Sequence, residues 1–137
     1  MNETSVGMIF FGSSLMADVR LWSKVDSKYA KIPLTVDTGA SMTTISTEIF
    51  NRLGYEPSKS SRVMITTASG VESVSQYTID RLKIGGIELF NVDAYALKFP
   101  EESFSLGVIG LNILRLFDIE LLFSQNIIKL KQIKADA

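Results

Sequence analysis

Short apolar segments alternate with turn-forming residues along almost the whole chain, and this pattern restricts the fold more than any other feature. The segments are rich in Val, Ile, Leu, Phe and Thr, and clusters of Gly, Ser, Asn and Asp separate them. Such segments are typical of β-strands, and helical spacing is confined to two stretches, 46–54 and 111–116. The chain has 137 residues with no repeat and no long linker, so it predicts a single domain over residues 1–137. We therefore expect a mainly β fold with two short helices.

The turn residues also predict how neighbouring strands connect. Gly85-Gly86 lies between two apolar segments and predicts a β-hairpin, and Ala68-Ser69-Gly70 predicts another. Ser46 or Thr47 can cap the first helix, and Gly54 can end it in the left-handed conformation. The predicted strands span residues 18–22, 31–36, 63–67, 71–77, 82–84, 87–90, 92–97, 107–110, 118–123 and 127–133.

Residues 6–17 are apolar enough to raise the question of a targeting or membrane segment. A signal peptide begins with basic residues, whereas here Glu3 precedes the stretch and Gly12-Ser13-Ser14 interrupts it. The stretch is also too short for a transmembrane helix. Its length and its Ile and Phe content favour a buried strand. We therefore expect a soluble, cytoplasmic protein without a membrane anchor.

The residue types that are absent narrow the chemistry. The chain contains no cysteine, which excludes disulfide bonds, thiolate nucleophiles and Cys-based zinc sites. It contains no histidine, which excludes the Ser-His-Asp triad and the HExxH metalloproteases. A net charge of −1, with no basic run or tail, argues against nucleic acid as a partner. A hydrolase of this composition must use carboxylates, Lys or Tyr, or a metal held by oxygen ligands.

Asp37-Thr38-Gly39 is the first candidate for a catalytic centre. It follows the apolar segment 31–36, and an aspartate buried there costs free energy unless it has partners. Gly39 allows a tight turn and a close approach by a second chain or a substrate. A given tripeptide occurs by chance in about 1–2% of chains of this length, so the motif alone fits a simple turn equally well.

Two longer segments carry a resemblance to a known family. Residues 33–46, Pro-Leu-Thr-Val-Asp-Thr-Gly-Ala-Ser-Met-Thr-Thr-Ile-Ser, resemble the active-site loop of retropepsin-like aspartic proteases. Residues 106–114, Leu-Gly-Val-Ile-Gly-Leu-Asn-Ile-Leu, resemble the second hallmark of that family, which threads through a ψ-shaped loop behind the catalytic aspartate. The resemblance covers roughly residues 18–130. Two hallmarks in the right order and spacing are far more specific than either one.

The resemblance implies a fold and a set of site residues. The fold would be a closed or partly open acid-protease barrel that forms one subunit of a dimer. Asp37 would be the catalytic carboxylate, Thr38 would bond to the partner's loop, and Gly39 would bond the substrate backbone. Further substrate contacts would come from the active-site loop, from a mobile hairpin called the flap, and from the second hallmark: Ala40, Ser41, Thr67, Ala68, Ser69, Gly70, Val108 and Ile109.

Asp-Thr-Gly occurs only once, although aspartic proteases need two carboxylates. One ionised carboxylate activates a water molecule, and the other, protonated, polarises the scissile carbonyl. The simplest source of the second carboxylate is Asp37 of another copy. The resemblance thus implies a homodimeric aspartic endopeptidase that acts on peptides or proteins and needs no metal and no cofactor. The other aspartates lack a comparable setting: Asp18, Asp26, Asp80, Asp93, Asp118 and Asp136.

The chain departs from the retroviral enzymes at several positions. Those enzymes have a pairing Asp and Arg where this chain has Ser41 and Leu111. Because both partners are missing together, no unpaired charge is left buried. Gly110-Leu111-Asn112 instead indicates the non-viral branch of bacterial and cellular members, which often have Asp after Gly-Leu. Ala40 lacks the hydroxyl that could donate a hydrogen bond to the catalytic carboxylate.

Two other interpretations of Asp37 remain open. The chain could be a non-catalytic peptide-binding or dimerisation module that retains the fold. Alternatively, Asp37 could cap a turn in an unrelated β-barrel. The intact Asp-Thr-Gly favours an enzyme over a binding module, because a module that only binds peptides does not need it.

The remaining polar candidates are expected to be structural. Glu101-Glu102 is expected to lie in a solvated loop, because no oxygen ligands cluster around it. Three isolated tyrosines are expected to pack rather than to catalyse: Tyr55, Tyr77 and Tyr95. Three lysines that alternate with apolar residues predict an exposed sheet edge: Lys129, Lys131 and Lys134.

Overall fold

The computed structural model describes residues 2–58, 62–67, 70–99 and 106–134, and the chain is mainly β, as predicted. The strands before the first helix are β1 (Glu3–Phe11), β2 (Ser14–Ala17), β3 (Val19–Ser23), β4 (Lys28–Lys31), β5 (Leu34–Val36) and β6 (Thr44–Ser46). The later strands are β7 (Arg62–Thr67), β8 (Gly70–Ile84), β9 (Ile87–Leu97), β10 (Gly107–Ile109), β11 (Phe117–Leu122) and β12 (Ile127–Gln132). The helices are α1 (Thr47–Leu53), α2 (Leu111–Leu114) and a 3-10 turn (Phe123–Gln125).

One continuous sheet joins the strands in the order β11-β12-β1-β2-β5-β10-β6-β9-β8-β3-β4, and β7 pairs with β8. Within the described residues this path has two ends, at β11 and at β4. The sheet is therefore open. Of the two predicted forms of the acid-protease barrel, closed and partly open, the structure has the open one. The first half of β1 pairs with β12 and its second half with β2, so β1 connects the terminal strands to the rest of the sheet.

Two segments that were predicted as single strands are divided in the structure. Residues 6–17 fold into the hairpin of β1 and β2, with Gly12 at φ 58° in the turn. Phe10 and Phe11 are 52% and 53% exposed, so the prediction of a fully buried strand is wrong there. The segment 31–36 divides at Pro33, because proline has no N–H to donate to a neighbouring strand.

Other predicted strands are joined in the structure. β8 runs from Gly70 to Ile84 and β9 from Ile87 to Leu97, and they pair across the predicted Gly85-Gly86 turn. Asn91 adopts a φ of 53° within β9. Opposite it, the Asp80 amide donates to the Tyr55 hydroxyl at 3.3 Å. The polar residue between two apolar runs therefore marks a local irregularity within one strand and not a strand end.

The first helix packs as predicted, although its cap differs. Ile49, Phe50 and Leu53 are buried, and Gly54 ends the helix with φ 87°. The Ser46 side chain makes no capping hydrogen bond, so the predicted side-chain cap is absent. None of the helices that the structure describes is long and apolar enough to cross a membrane.

Two of the isolated tyrosines are core residues, as expected. Tyr77 stacks on Phe50 with ring centroids 4.2 Å apart, and the Tyr55 hydroxyl donates to the Trp22 carbonyl at 2.7 Å. Burial raises the pKa of both phenols. Both groups therefore stay neutral at physiological pH and serve packing.

The prediction that the lysines of β12 mark a sheet edge is wrong. β12 lies between β1 and β11, so it is an inner strand. Its lysines lie beside acidic residues of the neighbouring strands: Lys131 pairs in register with Asp118 and Glu3, and Lys129 with Glu120. Opposite charges placed across strands stabilise a sheet modestly. The lysines thus contribute to a charge-balanced solvent face.

Candidate active site

Asp37 directly follows β5, at a point where a distant strand supports the chain. β10 lies between β5 and β6, parallel to β5 and antiparallel to β6. The Asp37 N–H donates to the Ile109 carbonyl at 3.1 Å, which extends the pairing of β5 with β10 into the loop. The second hallmark therefore passes between the two strands that flank the Asp37 loop, as the resemblance implied.

Residues 37–43 form this loop, and the start of α2 supports it from below. The Leu111 N–H donates to the Ala40 carbonyl at 2.8 Å, and the Asn112 N–H donates to the Ser41 carbonyl at 3.1 Å. These are the free N–H groups of a helix start, which need acceptors outside the helix. The loop and the helix therefore satisfy each other's backbone groups.

Gly110 allows this close approach. A Cβ atom at this position would lie 2.4 Å from the carbonyl carbon of Met42 and 2.8 Å from the Thr43 nitrogen. Real Cβ atoms essentially never approach other atoms so closely. The glycine of the second hallmark is thus required by the backbone of the Asp37 loop.

The Asp37 carboxylate is held on one side and open on the other. The Gly39 N–H donates to Asp37 Oδ1 at 2.9 Å, a short-range bond typical of aspartate in turns. Among the described residues this is the only hydrogen bond to the carboxylate, and no cation pairs with it. Asp37 is half-buried, whereas Thr38 and Gly39 are exposed. The carboxylate can therefore contact a water molecule, a substrate or a second carboxylate.

Asp37 opens on a cleft of about 350 Å³. The Asp37 loop forms its floor, and Ile65 and Thr66 of β7 contribute from the adjoining hairpin. Of the lining residues that the structure describes, Asp37 is the only carboxylate. The full lining is Asp37, Gly39, Ala40, Ser41, Met42, Thr44, Ile65, Thr66, Tyr95, Leu97, Phe99 and Val108.

The structure brings three of the predicted substrate contacts together. Ala40, Ser41 and Val108 line the cleft beside Asp37. The Ile109 side chain is only 2% exposed and belongs to the core, so it is not on the cleft. Its carbonyl group, which accepts from Asp37, is its link to the site.

The tip of the predicted flap is only partly described. Thr67 ends β7 and Gly70 begins β8, and the two pair in register. Ala68 and Ser69 lie outside the described residues, as does Glu101-Glu102. In the parts of the chain that the structure describes, no group of three or more acidic side chains could hold a metal ion.

The sequence interpretation missed the apolar wall of the cleft. Tyr95 and Leu97 lie at alternate positions of β9, and Phe99 continues the same spacing beyond it. Alternate residues of a strand share a face, so this period of two was a usable signal. Tyr95, which was assigned to packing alone, is half-buried on this wall.

Comparison with known proteins relates this arrangement to one family. No curated protein sequence gives a significant match. A retropepsin-like aspartic protease from Rickettsia conorii has a similar solved structure, with a TM-score of 0.66 and 18% sequence identity. The match covers 95% of this chain and 90% of that one. The family profile described as aspartyl protease matches residues 24–113, which include Asp37 and β10. The chain therefore belongs to the aspartyl protease family and has the retropepsin-like fold.

Proposed function

We propose that the protein is a homodimeric aspartic endopeptidase whose catalytic dyad consists of Asp37 from each of two copies. One observation carries the proposal: Asp37 is the only carboxylate among the described residues that line the cleft, whereas the reaction needs two. A two-fold axis beside the loop would bring a second Asp37 to the first. The exposure of Thr38 and Gly39 leaves the loop accessible to such a partner.

The proposed reaction uses the two carboxylates and a water molecule. Like charges in contact cannot both ionise, so the pair shares one proton. The ionised carboxylate takes a proton from water as the water oxygen attacks the scissile carbonyl carbon. The protonated carboxylate donates its proton to the carbonyl oxygen. The tetrahedral intermediate then collapses: the carboxyl group that took the water proton gives it to the leaving nitrogen as the C–N bond breaks. The other carboxylate takes the proton of one hydroxyl group of the intermediate, which restores the shared proton.

The substrate in this proposal is an extended peptide that lies between the Asp37 loop and the β7–β8 hairpin. Ile65 and Thr66 line the same cleft as Asp37, which supports a covering role for the hairpin. Its tip, residues 67–70, would act as the flap. An extended peptide offers its backbone to neighbouring strands and its side chains to pockets. The apolar wall predicts that these pockets accept apolar side chains. The expected cytoplasmic location remains a prediction.

The test compares wild type with Asp37→Asn on a peptide library, with the oligomeric state of each measured by sedimentation. Asp118→Asn is the matched control, because Asp118 is exposed on β11 and outside the cleft lining. We expect wild type and the control to cleave, and Asp37→Asn to remain dimeric with activity reduced by about 10²–10⁴-fold or more. A statine-type transition-state mimic should inhibit the wild type.

Three results would contradict the proposal. Equal cleavage by wild type and Asp37→Asn would place the chemistry elsewhere. If neither protein cleaves while both dimerise and bind peptides, the chain is a binding module that retains the fold. Full activity of a monomer would contradict the shared dyad.

A further inference from the structure

A network of hydrogen bonds beneath the Asp37 loop centres on the side chain of Asn112. Its Oδ1 atom accepts from the backbone N–H of Thr43 and from the Thr43 hydroxyl, each at 2.8 Å. Its Nδ2 atom donates to the Asp93 carbonyl at 2.8 Å. Thr43 is fully buried, so its donors have no access to water. One side-chain amide thus connects the end of the Asp37 loop to β9.

Thr43 also forms hydrogen bonds with Gly110 and Tyr95. The Gly110 N–H donates to Thr43 Oγ1 at 3.1 Å, and the Tyr95 N–H donates to the Thr43 carbonyl at 2.9 Å. The backbone of Asn112 also donates to the Ser41 carbonyl. Hydrogen bonds therefore hold the loop of residues 37–43 at both ends, at its start by Ile109 and at its end by Asn112. Both partners belong to the same four-residue segment, 109–112.

The bonding pattern requires a particular chemical group at position 112. The group must accept two hydrogen bonds at one atom and donate one from another, which a side-chain amide does. Leucine offers neither function. An ionised carboxylate accepts but cannot donate, and it would face the Asp93 carbonyl oxygen with a negative charge. A protonated carboxyl group can both accept and donate, so it can replace the amide in this network.

We propose that Asn112 is a positioning residue for Asp37. Its side-chain amide holds the Asp37 loop in the position, here called the seat of the loop, at which the catalytic carboxylates of the two copies can meet. The inference rests on the proposed function, because it assigns Asn112 a role in the efficiency of that reaction. Asn112 is not part of the cleft lining, so it acts through Thr43 and the loop and not on the substrate. Because that loop also carries Ala40 and Ser41 of the cleft lining, replacing Asn112 should change KM as well, but by much less than kcat.

The first test replaces Asn112 with Asp and follows kcat and KM across pH. Asn51→Asp is the matched control, because Asn51 is exposed on α1 and the change in charge is the same. Asp93 is the only titratable group among the described residues that line the groove beside Asn112, and its Oδ1 accepts from the Thr78 hydroxyl at 3.1 Å. Wild type carries the same Asp93. Dividing the kcat of the variant by the kcat of wild type at each pH therefore removes the contribution of Asp93 to the pH dependence.

For Asn112→Asp we expect this kcat ratio to fall about tenfold between about pH 3 and pH 6, the range in which aspartate side chains titrate, because the introduced carboxyl group loses its donor on ionisation. KM should stay within about twofold of wild type. A purely structural contribution would lower activity by the same factor at every pH. A pH-independent ratio, or a ratio that matches Asn51→Asp, would overturn the inference.

The second test uses Thr43, the partner of Asn112. Thr43→Ser keeps the hydroxyl and should retain most of the wild-type kcat. Thr43→Val has a similar shape but leaves the Gly110 N–H without its acceptor, and it should lose about 10-fold or more in kcat with little change in KM. Circular dichroism confirms that each variant is folded. Equal losses in the Ser and Val variants would contradict the network.

Hydrogen exchange separates failure of this inference from failure of the proposed function. If wild type cleaves no peptide, the proposed function fails, yet the seat of the loop can still be measured. The Asp37 N–H donates to the Ile109 carbonyl and the Leu111 N–H to the Ala40 carbonyl, so both amides report how firmly the loop is held. In Asn112→Leu we expect the protection of these two amides from exchange to fall about 10-fold or more, and the protection of the α1 amides to stay unchanged. Wild-type protection at both amides would refute the positioning role directly.

Discussion

Replacing Gly110 with Ala tests how tightly the second hallmark is packed beneath the Asp37 loop. The added Cβ would lie 2.4 Å and 2.5 Å from the carbonyl carbon and oxygen of Met42, and 2.8 Å from the Thr43 nitrogen. These are backbone atoms, so they cannot rotate away as a flexible side chain would. Overpacking of this kind costs about 1–3 kcal/mol. The displaced bond from Gly110 N–H to Thr43 Oγ1 adds about 1 kcal/mol. We therefore expect a loss of about 2–4 kcal/mol, or roughly 30- to 700-fold in the folding equilibrium.

Urea unfolding at a fixed protein concentration measures this loss, since the proposed dimerisation would make stability depend on concentration. Gly7→Ala is the control, because Gly7 lies in β1 and an added Cβ there would meet nothing within 4 Å. We expect that change to be neutral or to stabilise the protein by about 0.5–1 kcal/mol. If Gly110→Ala stays within about 0.5 kcal/mol of wild type, or if both variants shift equally, the inferred close contact between Gly110 and the Asp37 loop is incorrect.

Three further predictions concern pH and packing. Because Ala40 offers no hydroxyl to the Asp37 carboxylate, we expect the proposed peptidase to have a pH–rate profile that peaks at weakly acidic or neutral pH, and a maximum at strongly acidic pH would contradict this. Burial, together with the hydrogen bond and charge of Glu88, raises the pKa of Tyr29 to about 12. The stability that this provides is complete below pH 10.0 and is lost as pH rises to about 12, and tyrosinate absorbance should show the midpoint move down in Glu88→Gln. Phe50→Ala should lower the unfolding free energy by about 3–5 kcal/mol, because Phe50 is fully buried. Phe123→Ala, at a side chain 59% exposed, should change it by less than about 0.5 kcal/mol.

Local sequence patterns predicted the elements that local interactions define. Gly85-Gly86 marked a hairpin because two-residue turns require glycine-like conformations, and the structure confirms it. Gly54 marked the end of α1 for the same reason. Apolar spacing identified Ile49, Phe50 and Leu53 as the buried helix face. In each case the residues that determine the structure are within one turn of one another.

Features that depend on distant partners could not be read in this way. The position of β12 between two strands depends on its pairing with β1, which comes from the other end of the chain. The role of Asn112 depends on Thr43, 69 residues earlier, and no local pattern reports that contact. In the sequence, Gly110-Leu111-Asn112 indicated only the non-viral branch of the family, and the structure shows which atoms the amide joins. Ile109 was misplaced on the cleft because adjacent strand residues point to opposite faces.

The insertion of β10 between β5 and β6 also has a consequence for the order of folding. β10 pairs with both neighbouring strands, and Gly107 is 62 residues beyond its partner Ile45. Contacts between distant parts of a chain form late, because the intervening segment must first be brought together. During synthesis, Asp37 is therefore made well before residue 107. Until residue 107 has been added, β10 cannot support the Asp37 loop. Under the proposed function, we expect the nascent protein to be unable to cleave peptides until β10 has been synthesised, so that the late arrival of one strand delays proteolysis without any separate inhibitor.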